Sequence, residues 1–219
     1  MTRSAAFFDV DETLVTIKSM FRFLRHYWRA VGRPESDYLD VEAEFRTLPQ
    51  RGVTRSESNR RFYAQFAGDP VDQVARFGRE WFEQELGSPD LWHRPGLEAL
   101  RRHRAAGDLV VLVSGSFPPC LDPLAAHLRA DRVLCSRPAT EAGRYTGELA
   151  VPMIGEAKGD AVRELLAEHG LAAEQCFAYA DHASDLPLLE AVGHPCVVGS
   201  DPVLEARVRE LGWATLAGV

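Results

Sequence analysis

Short apolar runs that end on a polar or acidic residue recur along the chain. The first covers Ala5 to Phe8 and stops at Asp9, and later runs stop at Ser114 and Asp181. A strand that is apolar at every position is buried on both faces, as in a parallel sheet. The pattern predicts strands at residues 5–8, 109–113, 132–135, 176–180 and 196–199.

Helical periodicity separates the later strands. It predicts helices at residues 95–106, 120–128, 158–169, 185–192 and 202–211. Because strands that alternate with helices are joined by right-handed crossovers, the predicted fold class is α/β with a doubly wound, mostly parallel sheet. Ligands bind beyond the carboxyl ends of the strands in such sheets, so Asp9, Ser114 and Asp181 are expected to converge there.

A long interval separates the first two predicted strands. About a hundred residues lie between Thr13 and Leu109, far more than the roughly dozen of one crossover helix. Aromatic residues recur in it at three-to-four spacing, and proline and glycine divide it into about four helices. We therefore predict a core of residues 1–15 and 90–219, with a helical cap, residues 16–89, inserted after the first strand.

Composition narrows the function classes. The 219 residues are 46% hydrophobic and 26% charged, as in globular proteins, which argues against disordered, collagen-like and coiled-coil classes. The net charge of −7 disfavours a nucleic-acid partner, since that affinity comes mostly from Lys and Arg on phosphates. No stretch approaches the roughly 18–20 apolar residues of a membrane span, and Asp9 comes too early for a signal peptide. The four cysteines form no C-x-x-C pair, so we expect reduced thiols and a cytoplasmic protein.

Two aspartates directly follow the first predicted strand. Asp9 and Asp11 cannot both lie in apolar surroundings without a counter-ion. Mg²⁺ is a natural partner, because proteins hold it with one or two carboxylates plus phosphate oxygens. The alternative is that Asp11 or Thr13 simply caps the next helix. On these residues alone both interpretations stay open.

Three further positions offer candidate chemistry, each with a plainer alternative. The Ser-Gly-Ser stretch at 114–116 offers a hydroxyl and backbone N–H groups to an anion, although a helix-capping serine explains it equally well. Lys158 lies at a predicted helix start, where a cation opposes the helix dipole and indicates a nearby anion. A solvated surface lysine is the commoner explanation. Asp181 and Asp185 lie at a strand end and a helix start, and capping accounts for either.

Jointly and in this order, these motifs resemble those of the haloacid dehalogenase superfamily of aspartate-nucleophile phosphohydrolases. The resemblance rests on D-x-D-x-T at 9–13, S-G-S at 114–116, the Lys158 segment and D-x-x-x-D at 181–185. The helical insertion after the first motif looks like the cap of the branch that contains phosphoserine phosphatase. The stretch 184–195 is similar to the subfamily IB hydrolases within that branch. The resemblance covers essentially the whole chain and implies a Rossmannoid core with an inserted cap.

The resemblance implies a role for each motif residue. Asp9 would be the nucleophile that forms an aspartyl phosphate, and Asp11 the acid and base that serves the leaving oxygen and then water. Mg²⁺ would be held by the carboxylates of Asp9 and Asp181 and the backbone carbonyl of Asp11. Asp185 would hold Lys158 or a metal-bound water. The phosphate-binding residues would be Ser114, Gly115, Lys158 and Thr13. Ser114 and Lys158 would also be catalytic, and Thr13 would orient the nucleophile loop.

Two positions depart from the family pattern. Ala180 and His182 flank the metal aspartate where relatives usually have small residues. His182 is thus a candidate substrate contact, and a loop-surface histidine is the plainer interpretation. Lys18 stands nine residues beyond the nucleophile, where phosphoserine phosphatases have a glutamate that receives the substrate ammonium. A cation repels an ammonium group, so phosphoserine is expected to be a poor substrate.

Basic residues are concentrated in the first half of the insertion. The segment from Lys18 to Arg61 has ten basic and six acidic residues, a net charge of +4. One face of the first cap helix would present Lys18, Arg22, Arg25 and Arg29. A solvated helix face accounts for its three arginines, whereas Lys18 lies close enough to the first motif to contact substrate. The further candidate substrate contacts are Arg55, Arg60 and Arg61.

The resulting prediction is a cytoplasmic Mg²⁺-dependent phosphatase for a small phosphomonoester, one with a second anionic or hydroxyl-rich part. One alternative is a phosphotransferase that passes the same aspartyl phosphate to a metabolite hydroxyl, because the first half-reaction is shared. Another is a lipid-phosphate phosphatase at the membrane surface, indicated by the aromatic and basic residues of the first cap helix. A membrane partner is disfavoured, since such an aromatic stripe is more often protein core. The sequence does not indicate the oligomeric state.

Overall fold

A six-stranded sheet forms the centre of the molecule. The computed structural model describes residues 4–219, so residues 1–3 of the predicted core lie outside it. The strands of the described residues are β1 (Ala5–Phe8), β2 (Leu109–Ser114), β3 (Arg132–Cys135), β4 (Thr140–Glu141), β5 (Arg144–Tyr145), β6 (Phe177–Ala180), β7 (His194–Val198) and β8 (Ala214–Leu216). The sheet has the order β3-β2-β1-β6-β7-β8 with all neighbours parallel, and β4 and β5 form a separate antiparallel hairpin. The predicted doubly wound α/β fold is confirmed.

Helices cover both faces of this sheet. Those of the described chain are α1 (Ser19–Ala30), α2 (Glu35–Thr47), α3 (Arg55–Tyr63), α4 (Val71–Glu85), α5 (Arg94–Ala106), α6 (Pro118–Leu128), α7 (Glu156–His169), α8 (Leu186–Leu189) and α9 (Pro202–Leu211). The first four lie between β1 and α5, where the aromatic spacing predicts about four helices.

Two elements differ from the predictions. The apolar pattern predicts one helix over 185–192, but a 3₁₀ turn at Ala183–Asp185 leads into α8, a single helical turn. Pro187 has no N–H to donate and is confined to that first turn, after which the chain turns towards β7. The edge strand β8 escapes prediction because it has three residues and no buried position.

Alternate strand residues face two separate apolar clusters. On one face, Phe7 and Val111 pack with α7, α8 and α9. On the other face, Phe8 and Leu112 pack with α5, α6 and the four helices that precede α5. The inserted helices therefore share a hydrophobic core with the sheet, and their separation as a cap of residues 16–89 stays a prediction.

The inserted helices are fixed at two places. Thr16 donates its N–H to the Leu91 carbonyl at 2.9 Å and its hydroxyl to the Asp90 carbonyl at 2.6 Å, so the outgoing and returning chains lie side by side. At the second place, α4 contacts the first turn of α6. A Cβ at Gly78 would lie 2.1 Å from the Pro119 carbonyl oxygen, so this approach requires glycine.

Three of the aromatic residues of α1 belong to the protein core, while Phe21 is half-buried and lines a cleft described below. Buried on that helix are Phe23, Leu24, Tyr27 and Trp28. Its arginines point outward, and Arg22 pairs with Glu85 at 2.8 Å. Most of the face that suggested contact with a membrane is therefore covered by protein. No helix in residues 4–219 is long and apolar enough to cross a bilayer.

Candidate active site

A cleft of about 710 Å³ opens where β1, β2 and β6 end. Helices α1, α2 and α3 form its opposite wall. The residues that line it at the strand ends are Asp9, Asp11, Ser114, Gly115, Ser116, Lys158, Asp181 and Asp185. Parallel strands place their carboxyl ends at the same edge of the sheet, so residues far apart in the sequence meet here.

Lys158 lies at the centre of the charged groups. It is the third residue of α7 and is only 2% exposed. Its Nζ lies 2.5 Å from Asp9 Oδ1 and 2.8 Å from Asp185 Oδ1. Burial lowers the pKa of Lys158, but the Asp185 and Asp9 carboxylates outweigh burial, so the pKa is raised and the ammonium stays charged. The alternative of a solvated surface lysine does not apply.

Three carboxylates surround this single ammonium. Asp9, Asp181 and Asp185 each offer an oxygen within 4.8 Å of the others. Burial, and then the charges of Asp9 and Asp185, raise the pKa of Asp181 to about 8. Burial also raises the pKa of Asp9, and Lys158 opposes that rise. The negative charge exceeds what Lys158 can balance, and clustered carboxylate oxygens are a fitting donor set for a hard divalent cation.

Asp11 stands apart from that cluster. Its Oδ2 accepts the backbone N–H of Ser19 at 3.0 Å, so the carboxyl lies at the N-terminus of α1. Within the described chain, Oδ1 of Asp11 is buried and has no hydrogen-bond partner. Burial raises the pKa of Asp11 to about 7, although the bonds from Ser19 lower it. Its carboxyl can hold or release a proton near neutral pH, which suits acid and base chemistry.

The Ser-Gly-Ser loop at 114–116 is held from two sides. Ser116 donates its N–H to Ser114 Oγ at 3.0 Å. From α3, Asn59 Nδ2 and the Tyr63 hydroxyl both donate to the Gly115 carbonyl oxygen, at 3.0 Å and 2.8 Å. This fixes the orientation of the loop beside Asp9. A serine that only caps α6 would not need these partners, and Phe117 rather than a serine is the N-cap of that helix.

Sequence reasoning missed Asn59 and Tyr63. Both are buried, and Asn59 Oδ1 also accepts the Ser136 hydroxyl at 3.0 Å. They lie four residues apart, on the same helix face as Phe62 and Phe66. Two polar residues on an apolar helix face are the signal that would have indicated buried hydrogen-bond partners.

Two expected contacts do not line the cleft. Thr13 is fully buried and donates its hydroxyl to Asp181 Oδ1 at 3.1 Å, so it orients a carboxylate instead of facing a phosphate. His182 Nδ1 accepts the N–H of Ser184 at 2.9 Å and caps the 3₁₀ turn. Its ring is therefore engaged with its own loop. Contact between substrate and either side chain stays a prediction.

The basic candidates divide by helix face. The cleft is lined by Lys18 and Arg55 but not by Arg60 or Arg61. Arg55 and Asn59 lie four residues apart and share the cleft-facing side of α3. The next two residues project elsewhere, and Arg61 pairs with Glu57 on its own helix at 3.0 Å. Arg60 and Arg61 therefore lie outside the cleft lining, and their contact with substrate stays a prediction.

Known proteins resemble this chain along nearly its whole length. A sequence profile of the haloacid dehalogenase-like hydrolases matches residues 6–190. The chain is 34% identical to the probable phosphatase Rv3661 of Mycobacterium tuberculosis, over 98% of this chain and 75% of that protein. It is 30% identical to the phosphoserine phosphatase SerB1 of the same organism, over 96% of this chain and 69% of that protein. A solved structure of a Bordetella pertussis protein of unknown function superposes with a TM-score of 0.85 at 26% identity, over 99% of both chains.

The bonds of Asn59 predict its contribution to stability. Asn59→Ala removes the acceptor of the buried Ser136 hydroxyl and one donor of the Gly115 carbonyl. Because buried groups are then left without partners, we expect the free energy of unfolding to fall by about 2 kcal/mol. Urea unfolding followed by circular dichroism measures this change.

The neighbouring residue provides the control. Ser58 also lines the cleft, and no hydrogen bond of its hydroxyl is found in residues 4–219. Ser58→Ala should change the free energy of unfolding by no more than about 0.5 kcal/mol. Equal effects of the two substitutions would show that the Asn59 bonds do not stabilise the loop.

Proposed function

The chain belongs to the haloacid dehalogenase-like hydrolases and is a phosphatase, and on that premise we propose that it hydrolyses small phosphomonoesters through an aspartyl phosphate on Asp9, with Mg²⁺ as cofactor. The proposed location is the cytoplasm, supported by the four cysteines, which are buried free thiols.

The charge balance at the strand ends carries the proposal. Asp9, Asp181 and Asp185 bring three carboxylates within 4.8 Å, while Lys158 supplies one ammonium. Such an excess of buried negative charge requires a cation. It also supports a nucleophilic role for Asp9, the member of the cluster that lies directly at the end of β1 and lines the cleft.

In the first half-reaction a carboxylate oxygen of Asp9 attacks the phosphorus of the ester. The new bond from Asp9 to phosphorus forms as the bond from phosphorus to the ester oxygen breaks. The carboxylic acid of Asp11 gives its proton to that oxygen, so an alcohol leaves. The Ser114 hydroxyl, the Gly115 N–H and the Lys158 ammonium hold the phosphoryl oxygens, where charge develops.

In the second half-reaction the Asp11 carboxylate takes a proton from water. The water oxygen attacks phosphorus, the bond to Asp9 breaks, and inorganic phosphate leaves. Asp9 returns as a carboxylate and Asp11 as an acid, so the cycle closes. The Ser19 N–H, which holds one oxygen of Asp11, keeps the carboxyl directed at the reacting atoms in both steps.

The carboxylates of Asp9 and Asp181, with the backbone carbonyl of Asp11, would hold the Mg²⁺ ion. When bound, the ion supplies positive charge to the phosphoryl oxygens. The Thr13 hydroxyl orients Asp181, and Asp185 holds Lys158 in place. Of the three carboxylates in the cluster, Asp185 would thus serve Lys158 instead of the ion. The side chain of Asp11 would remain available for proton transfer.

Lys18 argues against phosphoserine as substrate. It lines the cleft, its side chain is 65% exposed, and its nearest acid, Glu12, is 3.7 Å away. The ammonium group of phosphoserine would meet this cation. The relative named as a phosphoserine phosphatase shares 30% identity, which leaves room for a different alcohol part in the substrate.

Replacing the nucleophile tests the covalent mechanism. Asp9→Asn should lower kcat by about 10³-fold or more, because an amide is not nucleophilic at oxygen. The hydroxylamine-sensitive ³²P label on the protein should also disappear. The control is Asp37→Asn, an exposed aspartate of α2, which should retain both. Phosphate release by Asp9→Asn at a rate near that of the parent would exclude the aspartyl phosphate.

Metal removal tests the cofactor. Dialysis against EDTA should abolish phosphate release, and Mg²⁺ should restore it. The ion should also raise the thermal midpoint of the protein without substrate, since a ligand at about 100 times its Kd stabilises the folded state by about 2.7 kcal/mol. Asp181→Asn should reduce that shift, whereas Asp37→Asn should not. An identical shift in all three proteins would place the Mg²⁺ site elsewhere.

Charge reversal at position 18 tests the exclusion of phosphoserine. Lys18→Glu should raise kcat/KM for phosphoserine relative to ethyl phosphate by about fivefold, since exposed charge pairs contribute up to about 1 kcal/mol. Arg29→Glu makes the same charge change at an exposed position of α1 that does not line the cleft, and should leave the ratio unchanged. An unaltered ratio in Lys18→Glu would remove this residue from substrate selection.

A further inference from the structure

The wall of the cleft opposite the carboxylates carries a cluster of apolar side chains. It is formed by α1, α2, α3 and the residue that precedes α1 by two positions. Its apolar members, called here the upper chamber, are Ile17, Met20, Phe21, Tyr38, Phe45 and Phe62. The chamber belongs to the same cleft as Asp9, so whatever alcohol is esterified to the phosphate must extend into it.

The aromatic rings of the chamber are arranged edge to face. Phe21 and Phe45 have centroids 5.5 Å apart at 74°, and Phe21 and Phe62 have centroids 5.1 Å apart at 64°. Phe62 is only 1% exposed and supports the other two rings from behind. Phe21 and Phe45 are half-buried and form a corner that faces the cleft. A third ring placed there could pack edge to face or offset-stacked against them.

Two of the three arginines that line the cleft are already paired within the protein. Arg22 is held by Glu85 through bonds of 2.8–3.1 Å. Arg46 lies 3.0 Å from Glu42, and the Tyr38 hydroxyl donates to the same Glu42 at 3.1 Å. These arginines therefore offer little free charge to a second anionic group on the substrate.

The size of the cleft also exceeds what a short polar alcohol fills. Its volume of about 710 Å³ lies within the range of sites that enclose whole small molecules, roughly 300–1,000 Å³. A phosphate group at Lys158 occupies only the floor. Part of the remaining volume is bounded by the apolar surface of the upper chamber, which stays exposed to water unless an apolar group covers it.

From the ring corner, the paired charges and the volume we infer that the substrate is a phosphomonoester whose alcohol carries a compact apolar body, about the size of one aromatic ring, bound in the upper chamber. This inference rests on the proposed phosphatase function. It replaces the expectation of a second anionic or hydroxyl-rich part.

Three esters of primary alcohols test it, with Mg²⁺ present. Ethyl phosphate, phosphoserine and 2-phenylethyl phosphate present the same type of leaving oxygen and differ in what it carries. The kcat/KM for 2-phenylethyl phosphate should exceed that for ethyl phosphate by at least about tenfold, because apolar groups of this kind discriminate by that much in an apolar site. A ratio near one, or a preference for phosphoserine, would overturn the inference.

Substitution of one ring locates the effect. In Phe45→Ala the ratio of the two kcat/KM values should fall below about threefold, and Phe45→Leu should recover part of it. The control is Phe77→Ala, which removes a half-buried ring of α4 that packs on Tyr27 and does not line the cleft. That variant should keep the parent ratio even if its thermal midpoint drops. An unchanged ratio in a folded Phe45→Ala would overturn the assignment of the chamber.

Three further outcomes are distinguishable. Dodecyl phosphate, kept below its micelle concentration, tests a lipid source of the apolar group, and a tenfold preference for it over 2-phenylethyl phosphate would overturn the compact body. Failure to hydrolyse any of the four esters would overturn the proposed function together with this inference. Hydrolysis of all four without selectivity would leave the phosphatase intact and overturn the inference alone.

Discussion

The buried ammonium of Lys158 joins parts of the chain that are far apart in the sequence. Removing a charge from water costs several kcal/mol unless well-placed partners compensate it. The partners here come from separate parts of the chain: Asp9 from the end of β1 and Asp185 from the turn before α8. The N-terminus of α7, the centre of the sheet and the loop after β6 are therefore held in one arrangement. Loss of Lys158 would leave the buried carboxylates of Asp9 and Asp185 without their cation.

The inserted helices complete what these core residues begin. The Ser19 N–H at the start of α1 holds Asp11, while Asn59 and Tyr63 of α3 hold the carbonyl of Gly115. Displacement of either helix from the strand ends would break these bonds. In the proposed mechanism, the position of α1 and α3 that covers the substrate is thus also the position that orients Asp11 and the Gly115 loop. Exclusion of water would then be coupled to the orientation of these groups.

Features that depend on local sequence patterns could be predicted, whereas features that depend on how distant parts of the chain pack together could not. Apolar runs that end on acids predict both a buried strand and the polar group at its carboxyl end, so the sheet and the residues at its edge could be located. The family resemblance, which depends on the same motifs, is confirmed. Whether Arg60 faces the cleft depends on the rotation of α3, and whether Thr13 meets a phosphate depends on where Asp181 lies. Neither the rotation of α3 nor the position of Asp181 is encoded in local residue spacing. Short elements such as β8 escape prediction for a related reason, because they are stabilised mainly by their neighbours in the sheet.

A net charge counted along the sequence does not show which of its charges are paired within the fold. The segment from Lys18 to Arg61 carries +4, which indicated a lid suited to an anionic group. The partner of Arg22, however, is Glu85 of α4, a residue outside that segment, and Arg46 is paired with Glu42 on its own helix. A charge that is balanced within the fold contributes little field to a ligand, whereas the half-buried rings of Phe21 and Phe45 still offer apolar surface. What a cleft selects is therefore determined by the groups left without partners after folding, and those become visible only when the helices are placed side by side.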